Sequence, residues 1–356
     1  MPSCKVRISV TGKEAAITKR TDTHHLIVSF EDNSLAPILF GPHNNHLRHL
    51  EKSLSVDVSS RGHDVAIEGS RRSVQWAHDA LILMWEKVLR DNDLTISEID
   101  AAIRFAKGDK TAMKKKDKHA DKKNFYDADA GIAEPHAGGK IINPRSPNQS
   151  KYIEAMKKHD MVFGIGPAGT GKTFLAVAQA VALFKQGEIE RMVFTRPAVE
   201  AGEKLGFLPG DLLEKINPYL RPIYDALHDL MPGDIVAKKI QAGDIEIAPL
   251  AFMRGRTLKN AFVVLDEAQN TTAMQMKMFL TRMGEGTRMV ITGDPTQVDL
   301  LPGQQSGLKE AMTILHNVKD VAFVHFNEKD VVRHKLVTKI IEAYNAYEFR
   351  GTRHSD

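Results

Sequence analysis

Short runs of apolar, often β-branched residues alternate along this chain with longer stretches in which apolar residues recur every three to four positions. The two periods divide it into zones. From about residue 148 to 350 the alternation is regular: Met161–Ile165, Arg191–Thr195, Ala261–Asp266, Arg288–Thr292 and Val321–Phe326 read as short strands. Helical stretches separate them, such as Phe174–Phe184. This order predicts an α/β domain, a parallel sheet covered by helices on both faces. An earlier zone, about 22 to 104, reads as a small α+β domain. It has a strand at Leu26–Phe30, a turn at Gly41–Asn45 and a helix with Leu47, Leu50 and Leu54 on one stripe. Two short strands, Val56–Val58 and Val65–Ile67, flank a turn at Arg61–Asp64, and an amphipathic helix carries Val74, Ala77, Leu81, Trp85 and Val88. Between the zones the pattern fails. Residues 105–147 hold Lys107, Lys110, Lys114 to Lys116, Lys118, Lys122 and Lys123 with little apolar content, which predicts a basic flexible linker. The expected domains are therefore 1–104, 105–147 and 148–356, without internal repeats.

Composition narrows the class. The 356 residues are 42% hydrophobic and 26% charged, ordinary for a water-soluble globular protein. No apolar run approaches a membrane span, and Met1–Arg7 lacks a signal-type apolar region, so no membrane association is expected. One cysteine, Cys4, excludes an internal disulfide or a zinc knuckle, and the 15 histidines show no paired-ligand spacing. A cytoplasmic location is the expectation. The net charge of +4 permits a nucleic-acid partner without demanding one.

The chemistry concentrates in the third zone. Gly166-Pro167-Ala168-Gly169-Thr170-Gly171-Lys172-Thr173 is a complete phosphate-binding loop between a predicted strand and a predicted helix. Glycines let several backbone N–H groups converge on phosphate oxygens. Lys172 supplies a charge to the β/γ-phosphates and Thr173 a hydroxyl to Mg²⁺. ATP and Mg²⁺ are the expected cofactors. About 100 residues on, Phe262–Leu265 leads into Asp266 and Glu267 at a strand's carboxyl edge, where open α/β sheets bind ligands. Asp266 there can hold Mg²⁺, and Glu267 can orient or deprotonate a water. A third polar strand end, Thr292–Gln297, offers the Gln297 amide to the γ-phosphate. Gln149, ahead of the first strand, can read an adenine edge with donor and acceptor together. Arg333 reads equally as an arginine finger or as a surface arginine.

Together these residues resemble the PhoH-like (phosphate-starvation-inducible, YbeZ-type) bacterial ATPases. The likeness covers the loop at 166–173, the blocks Thr195–Asp211 and Ala248–Leu258, and the segments Leu265–Thr272, Gly293–Gln297 and Asp330–His334. It departs from the family at Ala268, where serine is frequent. The resemblance implies a RecA-like P-loop lobe similar to the first motor lobe of superfamily 1 helicases. Lys172 and Thr173 are then phosphate and Mg²⁺ contacts, Asp266 the Mg²⁺ carboxylate, Glu267 the base, Gln297 the γ-phosphate sensor, Gln149 the adenine reader and Arg333 the finger. It also implies a hexamer and a YbeY-type endoribonuclease or ribosomal partner. Few residues follow Asp330, too few for a second lobe. That favours a homo-oligomeric ring with Arg333, Arg254 or Arg256 reaching across an interface.

The first zone follows the plan of a KH RNA-binding module, with Gly41-Pro42-His43-Asn44 at the position of its GxxG loop. The second glycine is missing and Pro42 removes a donor, so a compromised clamp is expected. Both an RNA clamp and a KH-like interaction domain stay open. Arg48, Arg61, Arg71 and Arg72 are candidate phosphate contacts, as are Arg196 and Lys204 in the third zone. The function expected is an ATPase coupled to RNA binding or remodelling. The alternative is an ATP-gated RNA-binding scaffold with negligible turnover that recruits an endoribonuclease.

Overall fold

The structure, a computed structural model, describes residues 23–30, 32–107, 132–133, 141–197, 212–301 and 303–332, with single positions at 337 and 340. The chain divides into two compact units, Met1–Gly131 with Asn143–Ser150, and Ile132–Ile142 with Lys151–Asp356.

The first unit runs β1 (Thr23–Ser29), α1 (Ala36–Phe40), α2 (Asn45–Leu54), β2 (Asp57–Arg61), β3 (Asp64–Ser70), α3 (Arg71–Asp91) and α4 (Ile96–Lys107). β3 lies between β1 and β2 and is antiparallel to both, with Ile67 opposite Leu26 on one side and Val58 on the other. The apolar stripes meet as expected. Leu47, Leu50 and Leu54 of α2 and Val74, Ala77, Leu81, Trp85 and Val88 of α3 are buried over Val65 and Ile67. Each of the buried leucines and valines contributes roughly 1.5–3 kcal/mol by leaving water. β2 and β3 extend past the predicted spans because backbone pairing carries polar Ser59, Ser60 and Arg61 up to the Gly62-His63 turn. The helix α4 is not among the predicted elements. It buries Ile99, Ala102, Ile103 and Ala106 in the same core and reaches Lys107, inside the stretch expected to be linker. The Gly41–Asn44 loop also differs from expectation. Asn44 sits at φ 59 and His43 at φ 51, so the left-handed turn forms without a second glycine. Asparagine tolerates that region better than most side chains. Gly41 itself is required, since a Cβ there would lie 2.6 Å from the His46 ring.

In the second unit the two-residue strands β4 (Ile132–Ala133) and β5 (Ile141–Ile142) pair with each other, also within the expected linker. Then follow α5 (Pro147–Lys158, counted with the first unit as far as Ser150), β6 (Met161–Ile165), α6 (Lys172–Gln186), β7 (Arg191–Arg196), α7 (Leu212–Leu230), α8 (Gly233–Ala242), β8 (Ile245–Pro249), β9 (Ala261–Leu265), α9 (Ala273–Leu280), β10 (Arg288–Gly293), α10 (Gly307–Leu315) and β11 (Val321–His325). Six strands form one parallel sheet in the order β11-β6-β10-β9-β7-β8. Every predicted strand of this zone is present, and β8 is an addition at the edge. The strand period of two separates the faces. Phe262 and Val264 of β9 face the core built with α6 and α7, while Ala261, Val263 and Leu265 face the one built with α9 and α10. From β6 the chain crosses to β7 on one side and later returns to place β11 on the other. That reversal opens a crevice at the carboxyl end of β6. Among the described residues no helix is long and apolar enough to cross a membrane.

Candidate active site

The loop that leaves β6 turns at three positions that favour glycine. Gly166, Gly169 and Gly171 have φ of 147, 82 and 81. A Cβ on Gly166 would lie 2.5 Å from the Phe326 carbonyl oxygen, so β11 presses directly on the loop. The Gly166 N–H donates to Gly293 O at 3.1 Å, which ties the loop to the tip of β10. Lys172, 8% exposed, folds back over this cradle and donates through Nζ to Gly166 O at 2.7 Å and Pro167 O at 2.9 Å. The N-terminus of α6 opens at the same point, where the helix's unpaired N–H groups and dipole favour an anion.

Across the crevice stands Asp266, just past β9 and only 4% exposed. Its Oδ1 accepts from Thr173 Oγ1 at 2.7 Å and lies 2.7 Å from Thr292 Oγ1. Its N–H donates to Thr195 O at 2.9 Å. One carboxylate oxygen thus joins the first residues of α6, the end of β9 and the end of β10. Beneath it, Tyr152 of α5 is wholly buried with no partner for its hydroxyl, and a Cβ on Gly164 would strike its ring. Burial, with the nearby charge of Asp266, pushes the Tyr152 phenol well above its ordinary range.

Glu267 adopts a left-handed backbone, φ 52, sparsely populated by side chains of its kind. Its Oε1 pairs with Arg196 Nη2 at 3.1 Å, and its Oε2 accepts from Gln269 Nε2 at 2.5 Å. Gln269 is itself buried, and its Oε1 accepts from the Asp294 N–H at 3.0 Å. The Asp294 Oδ1 takes Thr296, while its buried Oδ2 has no partner.

The predicted site residues divide as follows. Ala168, Gly169, Gly171, Lys172, Thr173, Asp266, Glu267 and Gln297 line one cleft of about 240 Å³, Gln297 from its exposed rim. Thr170 is buried in the loop, its hydroxyl donating to Pro167 O at 3.0 Å. Gln149 is 4% exposed, and its Oε1 accepts from the Arg145 N–H at 2.6 Å within its own segment. Arg196, expected to face nucleic acid, instead pairs with Glu267 and also donates to Tyr219 O at 3.0 Å. Arg256 is held in a two-pronged pair with Glu246, 2.5 and 2.7 Å, whereas Arg254 is exposed. Arg48, Arg61, Arg71 and Arg72 are all exposed, Arg72 lying 4.6 Å over the Trp76 ring. Lys204 and Arg333 lie outside the described residues, as does most of the Thr195–Asp211 block. The sequence reasoning missed Thr292 as a partner of Asp266, and it gave Gln269 no role although that residue lies in the same motif. A threonine at the end of a buried strand was a signal for the first, and the position two residues after Glu267 for the second.

Chemically, the cleft presents an anion cradle on one side and a hydroxyl–carboxylate pair on the other. Hard oxygen donors of this kind fit Mg²⁺, which is held by one or two protein oxygens and the substrate's phosphates rather than by a protein cage. Among the described residues no group of three or more His, Cys, Asp or Glu forms such a cage.

A parallel sheet whose switch-point strand feeds a glycine-rich loop, with an acidic pair two strands away, defines a P-loop nucleotide-binding protein. Residues 141–345 match the family model described as "PhoH-like protein". The chain belongs to the PhoH-like family. It is 45% identical over 326 residues to a PhoH-like protein of Bacillus subtilis, covering 91% of this chain and 99% of that one. It is 52% identical over 235 residues to a PhoH-like protein of Synechocystis, 63% of this chain and 72% of that one. With the Protein PhoH of Escherichia coli it shares 42% identity over 217 residues, 60% and 61% of the two chains. Among solved structures, a Sulfolobus solfataricus SWI2/SNF2 ATPase core in complex with dsDNA aligns at 16% identity and TM-score 0.32. The match covers 51% of this chain and 44% of that one, and at that score it adds nothing to the reading.

Proposed function

We propose that this chain is a Mg²⁺-dependent ATPase coupled to RNA, a RecA-like lobe preceded by a KH-like domain. The observation that carries the hydrolytic half is the Asp266 oxygen shared by Thr173 and Thr292, with Glu267 next in sequence on the same cleft. On ATP binding, Lys172 exchanges the carbonyls of Gly166 and Pro167 for phosphate oxygens, and the loop N–H groups take the rest. Thr173 and Asp266 would hold Mg²⁺, which supplies charge neutralisation at the β/γ-phosphates. Glu267 accepts the proton of the attacking water as the γ-phosphorus–oxygen bond to ADP breaks, and Gln297 orients the γ-phosphate from the rim. Gln149 at the adenine remains part of this reading, checked by the preference for ATP over GTP in Gln149→Ala.

Support for RNA comes from the first unit. Its strand–helix–helix–strand–strand–helix order, the left-handed Gly41–Asn44 loop and the exposed Arg48 and Arg61 suit a single-stranded backbone. An open groove of about 600 Å³ borders that loop, floored by Pro37, Ile38 and Phe40. A homo-oligomeric ring, with an arginine such as Arg254 completing a neighbour's site, and a nuclease or ribosomal partner belong to the same proposal. The test is steady-state ATP hydrolysis with and without single-stranded RNA across protein concentrations. A specific rate that rises with both supports the RNA-coupled, shared-site enzyme. A measurable rate flat against RNA removes the coupling.

A second reading has its own observation. Glu267 has both carboxylate oxygens engaged, as suits an ATP-gated scaffold that rarely turns over. Replacing Glu267 with Gln separates the two: a scaffold keeps its cellular role, and a motor loses it.

A further inference from the structure

We infer that Arg196 restrains Glu267, and that a phosphodiester strand competing for its guanidinium releases the carboxylate for catalysis. The proposal deepens the ATPase reading above and rests on it. A general base needs an oxygen ready to take a proton, and here Oε1 is occupied by a cation. The bond is of an exchangeable kind. Arg196 meets Glu267 through Nη2 alone at 3.1 Å and spends Nη1 on the Tyr219 carbonyl, whereas Arg256 grips Glu246 with both nitrogens at 2.5 and 2.7 Å. One-pronged, partly exposed pairs are worth little net free energy, and a phosphate offers the guanidinium a better-matched two-pronged partner.

Position supports the same conclusion. Arg196 ends β7 at the carboxyl edge of the sheet, its side chain 20% exposed, so an incoming strand can reach it. When Arg196 leaves, Glu267 does not swing free. Gln269 still holds Oε2, and it is anchored in turn by the Asp294 N–H at the tip of β10. Glu267 therefore keeps its orientation while Oε1 becomes available to water. Arg196 is a positioning residue in this scheme, and the ligand it recognises is the phosphate backbone of a single strand.

The experiment measures kcat and KM for ATP in the full-length protein, with and without a uridine homopolymer, for wild type, Arg196→Gln and Arg196→Lys. ATP affinity by equilibrium binding serves as the check on folding. The expected result for Arg196→Gln is a basal kcat raised about three- to fivefold, KM and ATP affinity unchanged, and most of the homopolymer stimulation lost. Arg196→Lys, which keeps the charge but not the guanidinium that serves both Glu267 and Tyr219, is expected to show a basal kcat between wild type and Arg196→Gln. A basal kcat that is unchanged or falls in Arg196→Gln, with ATP affinity retained, overturns the restraint. If ATP affinity is lost with it, Arg196→Lys decides: a basal kcat above wild type, from a weaker hold on Glu267, upholds the restraint, and a basal kcat at or below wild type overturns it. A wild type that hydrolyses ATP without responding to the homopolymer defeats the RNA coupling while the basal comparison still decides the restraint. A wild type that hydrolyses no ATP defeats the ATPase reading, and the restraint falls with it unless Arg196→Gln restores turnover.

Discussion

Two hydroxyls from different elements converge at 2.7 Å on a single oxygen, Asp266 Oδ1. Replacing Thr292 with Val keeps the shape and removes one of them. Losing one such bond is worth about 0.5–1.5 kcal/mol, so kcat/KM for Mg·ATP is expected to fall about two- to tenfold with the fold intact by circular dichroism. Gly166 admits no side chain: with Phe326 O at 2.5 Å and φ of 147, Gly166→Ala is expected to destabilise the unit by about 1–3 kcal/mol, read as a lower Tm. Tyr152 gives a pH dependence. Its phenol is raised above the ordinary value of 10.0 in the fold, so its contribution to stability is complete below about pH 10 and is lost as pH rises beyond it. Tyr152→Phe should flatten that alkaline decline in urea melts, and since its hydroxyl has no partner, the change should not destabilise at neutral pH. At this scale the loop and the Asp266–Glu267 pair were legible as a motif. The partners of those side chains were not: Arg196 and Thr292 belong to other strands and reach the site only when the sheet assembles, while Gln269, two residues after Glu267, meets it only through the tight turn that follows β9.

Among elements, legibility followed periodicity. Strongly apolar strands such as β6 and β9 and the stripes of α2 and α3 appear where the pattern placed them. The helix α4 did not announce itself, because its buried face is partly alanine and it borders a lysine-rich stretch. What fixes it is tertiary. Lys87, buried on α3, pairs with Glu98 of α4 at 3.0 Å and with Asp91. Burial raises the Glu98 carboxyl, but the Thr95 N–H and Lys87 outweigh it and hold the group below its ordinary 4.5. Its stability contribution is therefore present above about pH 4.5 and lost as pH falls through the lowered value. Lys87→Met is expected to cost about 1–3 kcal/mol, less than for a fully buried pair because both acids are partly exposed, and to reduce the acid sensitivity of the first unit. Chemical denaturation at pH 7 and pH 4 measures both effects.

For the whole molecule, two units with separate cores predict an asymmetric response to ligand. The phosphate side of the proposed nucleotide site, the loop, the Asp266–Glu267 pair and Gln297, lies in the second unit. Mg·ATP at a hundred times its dissociation constant should stabilise that unit by about 2.7 kcal/mol. Followed by scanning calorimetry, the transition assigned to it should move up while the first unit's stays in place. A uniform shift of both would show that the units unfold together.

The class was readable from local spacing. Strand–helix alternation points to a parallel sheet, and a glycine-rich loop of this spacing between strand and helix suits phosphate. The glycines at 166, 169 and 171 were legible as a backbone able to curl around phosphate, a freedom that belongs to glycine itself. Which distant groups share an atom came only with the assembled sheet: Thr292 meets Thr173 on Asp266, and Arg196 lies on Glu267 rather than clear of it. Both depend on strand order, since β10 beside β9 brings Thr292 to the carboxylate that follows β9 and β7 on its other side brings Arg196 to Glu267, and no pattern along one strand encodes its neighbours.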